Sequence, residues 1–331
     1  MFHSNLRIMW SMIIAVCLMP PVLAIYTENK TIFRDDLVIF TSNHNITKLL
    51  VPADGVSFVR NDNSDLPAIF FTIKDKNLDG EHCIYVLEGL AAYEILEGGR
   101  DSTADYGPDK TVYFGAKDGV YKYDPDSLSA KKFGLFRDDI IQIQKANGED
   151  VIYYLTVNYK LFKLENNGVL RTRIEVVTCA LEFVLDTSNN IYYLACEDGL
   201  PRIVSNQGLL LSFTPTLYDD FKDVKLLRPA FIMERSVLFF ADGFFYMLYV
   251  NGTTAKRDFF IDEKPTAFSI DAALYLVAAV EGKIFEFNVM EVLLKSIFHV
   301  SNAWPNDLTK IMMPIIENSK ENKIFNFMGI S

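Results

Sequence analysis

A two-strand pattern that recurs about every 40 residues constrains the fold of this chain most. In residues 112–124, two short runs of β-branched and aromatic residues flank Lys117, Asp118 and Gly119. This arrangement is typical of a tight antiparallel hairpin, because glycine supplies the positive φ that the turn needs. Similar hairpins begin at residues 69, 112, 152, 191, 237 and 274. A β-rich unit of this length predicts one blade of a β-propeller, so we assign the chain to the all-β class.

The two ends of the chain add further apolar pairs to this array. Residues 36–51 hold two apolar runs joined by a polar link, and a charged segment separates residues 308–316 from 324–328. An open ring would leave a sheet edge exposed to aggregation. We therefore expect a last blade with inner strands from the C-terminus and outer strands from the N-terminus. Six complete blades, the first with its inner strand at residues 56–60, would then make seven in total. Six blades is the alternative if the terminal hairpins lie elsewhere.

The first 24 residues have the pattern of a secretory signal peptide. An apolar run at residues 8–18 is followed by two prolines and by the small residue Ala24. The run is shorter than the roughly 20 residues that span a bilayer. We therefore expect cleavage near Ile25 and secretion without a membrane anchor. The mature chain, residues 25–331, is expected to form a single propeller domain and to be a monomer.

Charge and glycosylation sequons agree with an extracellular location. The chain has 32 basic and 43 acidic residues and a net charge of −11, with no basic stripe, so we expect no binding to nucleic acid or to membranes. Three sequons begin at Asn29, Asn45 and Asn251. The last of them falls at a predicted turn between outer strands, which favours its glycosylation.

Two of the cysteines are symmetric about a predicted turn. Cys179 and Cys196 flank a hairpin whose turn lies at residues 187–190. If its strands pair, the two cysteines face each other at the open end and form a disulfide in an oxidising compartment. Two buried free thiols are the alternative. Cys83 has no evident partner, and we expect it to be a buried, unreactive thiol.

The sequence offers little evidence of a catalytic site. The sequence has no glycine-rich phosphate loop, no Cys-x-x-Cys pair and no His-Glu-x-x-His, so we expect a binding protein without a cofactor or metal. Some propeller hydrolases of the gluconolactonase and paraoxonase type hold calcium in the channel, and the candidates here would be Asp105, Glu182 and Asp271. The neighbouring inner strands offer Gln142, Gln144 and Met233 instead. A calcium-dependent lactonase-like hydrolase and a protein-interaction propeller remain the alternative functions.

Residues 96–124 and 180–200 carry a resemblance to a known family. In order and spacing, residues 46–290 are similar to the ommochrome-binding proteins of moth and butterfly haemolymph, most closely in those two segments. The resemblance implies a secreted insect carrier of a small aromatic, tryptophan-derived pigment in the haemolymph. The chain departs from the family in its long C-terminal tail and in an insertion at residues 77–81.

A channel mouth is the expected ligand site, because a propeller surrounds one concave opening with loops and inner strands. Planar and charged side chains before the inner strands suit a chromophore that is held by stacking and hydrogen bonds. The candidates are Arg100, Asp101, Tyr106, Tyr218, Phe221 and Trp304. Each of them is also consistent with an ordinary loop residue.

Overall fold

The computed structural model describes residues 33–52, 68–74, 82–105, 111–211, 221, 223–228, 235–260, 263–270 and 275–288. These residues form 24 strands and a short 3-10 helix, Asp35–Leu37. No helix among them is long and apolar enough to cross a membrane. The strands make six four-stranded sheets. All the pairings are antiparallel between neighbours in sequence or across the termini, which confirms the predicted β-propeller.

The N-terminal half holds the first strand and three complete blades. The first strand is β1 (Val38–Thr41). Blade 1 consists of β2 (Asn45–Leu50), β3 (Ile69–Lys74), β4 (His82–Glu88) and β5 (Ala91–Glu97). Blade 2 consists of β6 (Gly99–Ala104), β7 (Val112–Ala116), β8 (Gly119–Asp124) and β9 (Ser129–Phe133). Blade 3 consists of β10 (Ile140–Lys145), β11 (Ile152–Thr156), β12 (Leu161–Glu165) and β13 (Leu170–Arg173).

The C-terminal half holds the other three blades. Blade 4 consists of β14 (Ala180–Leu185), β15 (Ile191–Ala195), β16 (Pro201–Val204) and β17 (Leu210–Leu211). Blade 5 consists of β18 (Lys225–Leu227), β19 (Ser236–Ala241), β20 (Phe244–Tyr249) and β21 (Thr254–Phe260). Blade 6 consists of β22 (Ala267–Ile270), β23 (Tyr275–Val280), β24 (Lys283–Asn288) and, at its outer edge, β1.

The last blade is shared between the two ends of the described chain, as predicted, although the N-terminal end contributes one outer strand and not two. β1 pairs antiparallel with β24, so an N-terminal strand completes a C-terminal sheet. Blade 6 also contacts blade 1 directly, because Val51 N donates to Ser269 Oγ (2.9 Å) and Thr266 Oγ1 donates to Ile46 O (2.6 Å). The ring therefore closes with six blades. The predicted number of seven blades was wrong, and the alternative of six is correct. Residues 308–328, the expected inner strands of a seventh blade, lie outside the described residues.

The expected hairpin at residues 36–51 is wrong. Its two apolar runs become β1 and β2, which belong to different sheets, because β2 pairs with β3. β2 is therefore the inner strand of blade 1, in place of residues 56–60, which lie outside the described residues. A step from an outer strand to the next inner strand has the same short polar link as a hairpin, so the local pattern does not separate the two.

One apolar cluster fills each interface between neighbouring blades. Phe70 and Phe114 pack between blades 1 and 2, and their ring centroids are 5.6 Å apart. In the cluster between blades 4 and 5, Phe239 stacks on Tyr246 of the same blade at 5.0 Å. The remaining four interfaces have their own clusters. Burial of about 150–250 Å² per aromatic side chain makes these interfaces the main source of stability.

Candidate functional site

The first strand of each blade is its inner strand, and the inner strands surround a central channel. Side chains join neighbouring inner strands in place of a backbone ladder. Gln142 exchanges two hydrogen bonds with the backbone of Phe183 (2.6 and 3.0 Å), and Gln144 does the same with Leu185 (3.3 and 2.9 Å). Both pairs are 41 residues apart, so the strands are parallel and in register. We call the end at which the inner strands begin the upper mouth, and the other end the lower mouth.

A β-bulge recurs at the upper mouth in four of the inner strands. In each, the pairing with the second strand skips one residue near the start of the inner strand. The skipped residue is the third of β2, Thr47, and the second of β6, β10 and β14, namely Arg100, Ile141 and Leu181. A bulge leaves its residue out of the ladder and redirects the side chain. Leu181 is accordingly 42% exposed, although it is large and apolar.

A cavity of about 310 Å³ opens at this upper mouth. Its lining combines apolar and polar side chains: Lys48, Ile141, Gln142, Leu181, Glu182, Leu194 and Val224. Blades 1, 3, 4 and 5 all contribute, so the cavity depends on closure of the ring. The volume lies at the lower end of the usual range for small-molecule sites.

Lysines dominate the charge around the upper-mouth cavity. Burial lowers the pKa of Lys225 to about 8, the Glu182 carboxylate opposes this shift, and Lys48 and Lys264 add to it. Lys225 Nζ donates to Thr266 O. The Glu182 carboxylate accepts a hydrogen bond from Leu226 N (3.1 Å), which ties blade 4 to blade 5. The ammonium groups of Lys48, Lys225 and Lys264 therefore lie near the single carboxylate of Glu182. This local excess of positive charge contrasts with the net charge of the chain, −11.

The middle of the channel is crossed by an arginine. Arg228, which follows β18 in blade 5, donates to Asp101 Oδ2 and Ser102 O of blade 2, and to Ile143 O of blade 3 at 3.2 Å. Asp101 also accepts from Ile143 N (2.8 Å) and is fully buried. Asp101, Gln142 and Glu182 occupy equivalent positions on three successive inner strands. The side chain of each accepts a hydrogen bond from the next inner strand, at the backbone N–H of Ile143, Phe183 and Leu226 respectively.

The structure describes three of the six predicted ligand residues and places them in different surroundings. Arg100 lies at the upper mouth, where its guanidinium pairs with Asp139 (2.6 Å). The carboxylate of Asp101 bridges blades inside the channel. Phe221 packs against Phe239 and Tyr246 (5.4 and 5.0 Å) in the core between blades 4 and 5, which corrects its expected position at a mouth. The other three, Tyr106, Tyr218 and Trp304, lie outside the described residues.

Two of the three calcium candidates lie toward opposite ends of the channel. Asp105 follows β6 near the lower mouth, where Lys145 Nζ is 3.7 Å from its carboxylate. Glu182 lies at the upper mouth, about four residues or roughly 13 Å away along the strand direction at about 3.3 Å per residue. Asp271 lies outside the described residues. No group of three or more His, Cys, Asp or Glu side chains in the described ranges is arranged to hold a metal ion.

The predicted disulfide is confirmed. Cys179 and Cys196 are bonded, with their Cα atoms 5.5 Å apart, next to β14 and β15 at the upper mouth. Cys83 is a free cysteine. Burial, together with the nearby Glu94 carboxylate, raises the pKa of its thiol to about 12. A thiol that stays protonated is a poor nucleophile, in agreement with the unreactive role expected of it.

Two of the three sequons lie on described surface. Asn45 is exposed at the start of β2, and Asn251 is exposed in the turn between β20 and β21. The side chain of Asn251 accepts hydrogen bonds from Thr253 N (3.0 Å) and Oγ1 (2.7 Å). Asn29 lies outside the described residues. Glycosylation of these sites stays a prediction.

Sequence reasoning missed Lys48, Lys225 and Arg228. Each is a long cation within or directly after an inner strand, which is an unusual place for a charge. Such cations could have been recognised from the sequence as candidates for the channel site. The residues come from blades 1 and 5, and only closure of the ring brings them to one channel.

Comparison with known proteins finds only distant structural likenesses. No protein-family model matches the chain, and no curated protein matches its sequence. A virginiamycin B lyase from Staphylococcus aureus is similar in structure at 12% identity and a TM-score of 0.44, over 74% of this chain and 95% of that one. A streptogramin B lyase is similar at 9% identity and a TM-score of 0.42, over 75% and 96%. BBS1N, solved in complex with ARL6DN, is similar at 13% identity and 0.48, over 72% and 77%. At such identities the likeness carries no information about activity.

Proposed function

We propose that this propeller is a secreted carrier that binds a small aromatic pigment in the upper-mouth cavity without chemical conversion. The observation that carries the proposal is the lining of that cavity. Ile141, Leu181 and Leu194 supply apolar surface for a planar ring system, and Lys48 and Glu182 supply polar groups that orient it. Most small-molecule sites have this composition.

The choice of an ommochrome or a related tryptophan-derived chromophore rests on the sequence resemblance. Residues 96–124 and 180–200, which carry that resemblance, contribute Leu181, Glu182 and Leu194 to the cavity. The disulfide next to Leu181 is compatible with an oxidising compartment such as haemolymph. It also braces the two strands that present these side chains.

A protein-interaction role is the second candidate, and a specific surface favours it. Leu135, Val157 and Tyr159 are large exposed side chains on loops that lead to or from β10, β11 and β12. Tyr159 has φ +57, an uncommon conformation for a bulky residue, and its carbonyl accepts from Ala180 N beside Leu181. A partner that covers this surface would compete with a ligand at the upper mouth.

Spectroscopic titration with xanthommatin tests the carrier proposal. We expect a shift of the pigment's absorbance and a dissociation constant in the micromolar range or below, about −8 kcal/mol. Leu181→Gln should weaken binding at least tenfold, because it replaces apolar contact surface in the cavity. Leu210→Gln is the matched control, since Leu210 is exposed on the outer strand β17 of the same blade. It should leave the affinity unchanged.

Three results would overturn the carrier proposal. The first is the absence of any spectral change at excess pigment while the circular dichroism of the protein is normal. The second is equal loss of affinity in both leucine variants, which would place the ligand elsewhere. The third is calcium-dependent hydrolysis of lactones by the purified protein, which would favour the hydrolase alternative.

A further inference from the structure

We propose, resting on the function above, that the upper-mouth cavity selects aromatic acids and that Lys48 binds the carboxylate of the ligand. The cavity would therefore bind a planar, apolar molecule with one anionic end. Neutral aromatic molecules of the same shape would bind more weakly.

Lys48 is the first observation that points to an anion. It follows the bulge of β2, is half-buried and lines the cavity. Several other described lysines donate to a specific oxygen: Lys132 to Asp118, Lys160 to Thr178 O and Lys283 to Asp35. Lys48 makes no hydrogen bond or ion pair with a described residue. A partly desolvated ammonium group without a partner is costly, and a ligand carboxylate would offset that cost.

The surrounding charges are the second observation. Lys48 and Lys264, which precedes β22, both lie close enough to Lys225 of β18 for their positive charges to lower its pKa. Glu182 is the acidic residue of the cavity wall, and its carboxylate already accepts from Leu226 N. The local field therefore favours an incoming anion, in contrast to the acidic chain as a whole.

The apolar part of the wall narrows the class of anion. Ile141, Leu181, Leu194 and Val224 come from three different blades and cover the side of the cavity away from Lys48 of blade 1. An inorganic anion would leave these side chains in contact with water and gain nothing from them. A planar aromatic acid fills this wall and places its carboxylate near the ammonium group.

A matched pair of probes tests this selectivity by calorimetry. Quinoline-2-carboxylate and quinoline-2-carboxamide have the same ring and nearly the same shape, and they differ in charge. In the unmodified protein we expect the acid to bind at least tenfold more tightly than the amide. Lys48→Met should bring the affinity for the acid down to that for the amide and leave the amide unchanged. Lys122→Met, at an exposed position of β8, is the control and should change neither.

The possible outcomes separate this inference from the carrier function. Equal binding of acid and amide to the unmodified protein overturns the inference, even if xanthommatin binds. So does the absence of binding of both probes, or a loss of affinity in Lys48→Met that is the same for acid and amide. Conversely, selective binding of the acid without any binding of xanthommatin supports the anion site and rejects the pigment as the ligand. Unchanged melting temperatures of the variants show that the fold is intact.

Discussion

Arg228 of blade 5 forms an ion pair with Asp101 of blade 2, directly across the central channel. The two blades are opposite each other in a ring of six, so this contact joins the two halves of the propeller. The side chains are 15% and 0% exposed, and Asp101 Oδ1 has no hydrogen-bond partner among the described residues.

Removing the arginine should be strongly destabilising, because it leaves a buried carboxylate without its cation. We expect Arg228→Met to lower the free energy of unfolding by about 3–5 kcal/mol, measured by urea denaturation with circular dichroism. Arg202→Met is the control, because the Arg202–Asp198 pair is 26% and 35% exposed. Its loss should cost less than about 1 kcal/mol.

A second change should restore part of that loss. Asp101→Asn in the background of Arg228→Met removes the uncompensated charge and keeps a polar group near Ile143 N. The double variant should therefore be more stable than Arg228→Met alone. A double variant that loses the sum of the two single effects would show that the ion pair is not the reason for the destabilisation.

The disulfide at the upper mouth should contribute to stability through the unfolded chain. Its half-cystines are separated by 17 residues, and closing a loop of that size is worth about 3 kcal/mol in the chain-entropy model. We expect replacement of Cys179 and Cys196 by alanine to lower the melting temperature, and reducing agent to have no further effect on that variant. Cys83→Ala, at a free thiol, is the control and should change stability by less. A larger loss of stability in Cys83→Ala than in the disulfide variant would contradict the Cys179–Cys196 bond.

Two glycine backbones touch across blades 2 and 3. A Cβ atom on Gly168 (φ +83) would lie 2.5 Å from Gly134 Cα and 2.9 Å from Gly134 N. Gly208 has nearly the same φ, +82, but open space at that position. Gly208→Ala should therefore cost about 1 kcal/mol from backbone strain alone. Gly168→Ala should cost about 1–3 kcal/mol more, since the backbones must separate. Thermal melting of the two variants measures the difference, and equal melting temperatures would contradict the contact.

The half-buried Lys225 should make stability depend on pH. In the folded protein burial lowers the pKa of Lys225 to about 8 from its ordinary 10.5, an effect that Glu182 reduces and Lys48 and Lys264 increase. Between pH 8 and pH 10.5, Lys225 is therefore neutral in the folded protein and protonated in the unfolded chain, so unfolding takes up a proton. Because of this uptake, the free energy of unfolding rises with pH across that range. At pH 7, where both states are protonated, the cost amounts to at most about 3 kcal/mol.

Lys225→Met removes this titration. The variant should be more stable than the unmodified protein at pH 7, and the difference should shrink as the pH rises from 8 to 10.5, in urea denaturation at each pH. The exposed Lys122→Met should show a difference that does not vary with pH. A constant difference for Lys225→Met would contradict the lowered pKa.

Much of the architecture follows from local pattern. The hairpins that begin at residues 69, 112, 152, 191 and 237 correspond to β3, β7, β11, β15 and β19 within a residue. They were predictable because alternation and turn glycines act over a few residues. The Cys179–Cys196 bond follows from the same hairpin register. Sharing of the last blade was also predictable, because an unpaired sheet edge is unfavourable in any ring.

The number of blades and the contents of the channel were not predictable in this way. β1 and β2 look like a hairpin in sequence, and only their pairing with β24 and β3 shows that the chain passes between sheets there. Phe221 has a planar side chain of the kind that binds aromatic ligands, but in the structure it packs in the core between blades 4 and 5. The sequence by itself thus determined the strands, the disulfide and the class of fold, because these depend on neighbours in the chain. The tertiary structure decided that six blades close the ring, and that Lys48, Lys225 and Arg228 meet in the channel. Residues from opposite sides of a ring come together only when the ring is complete.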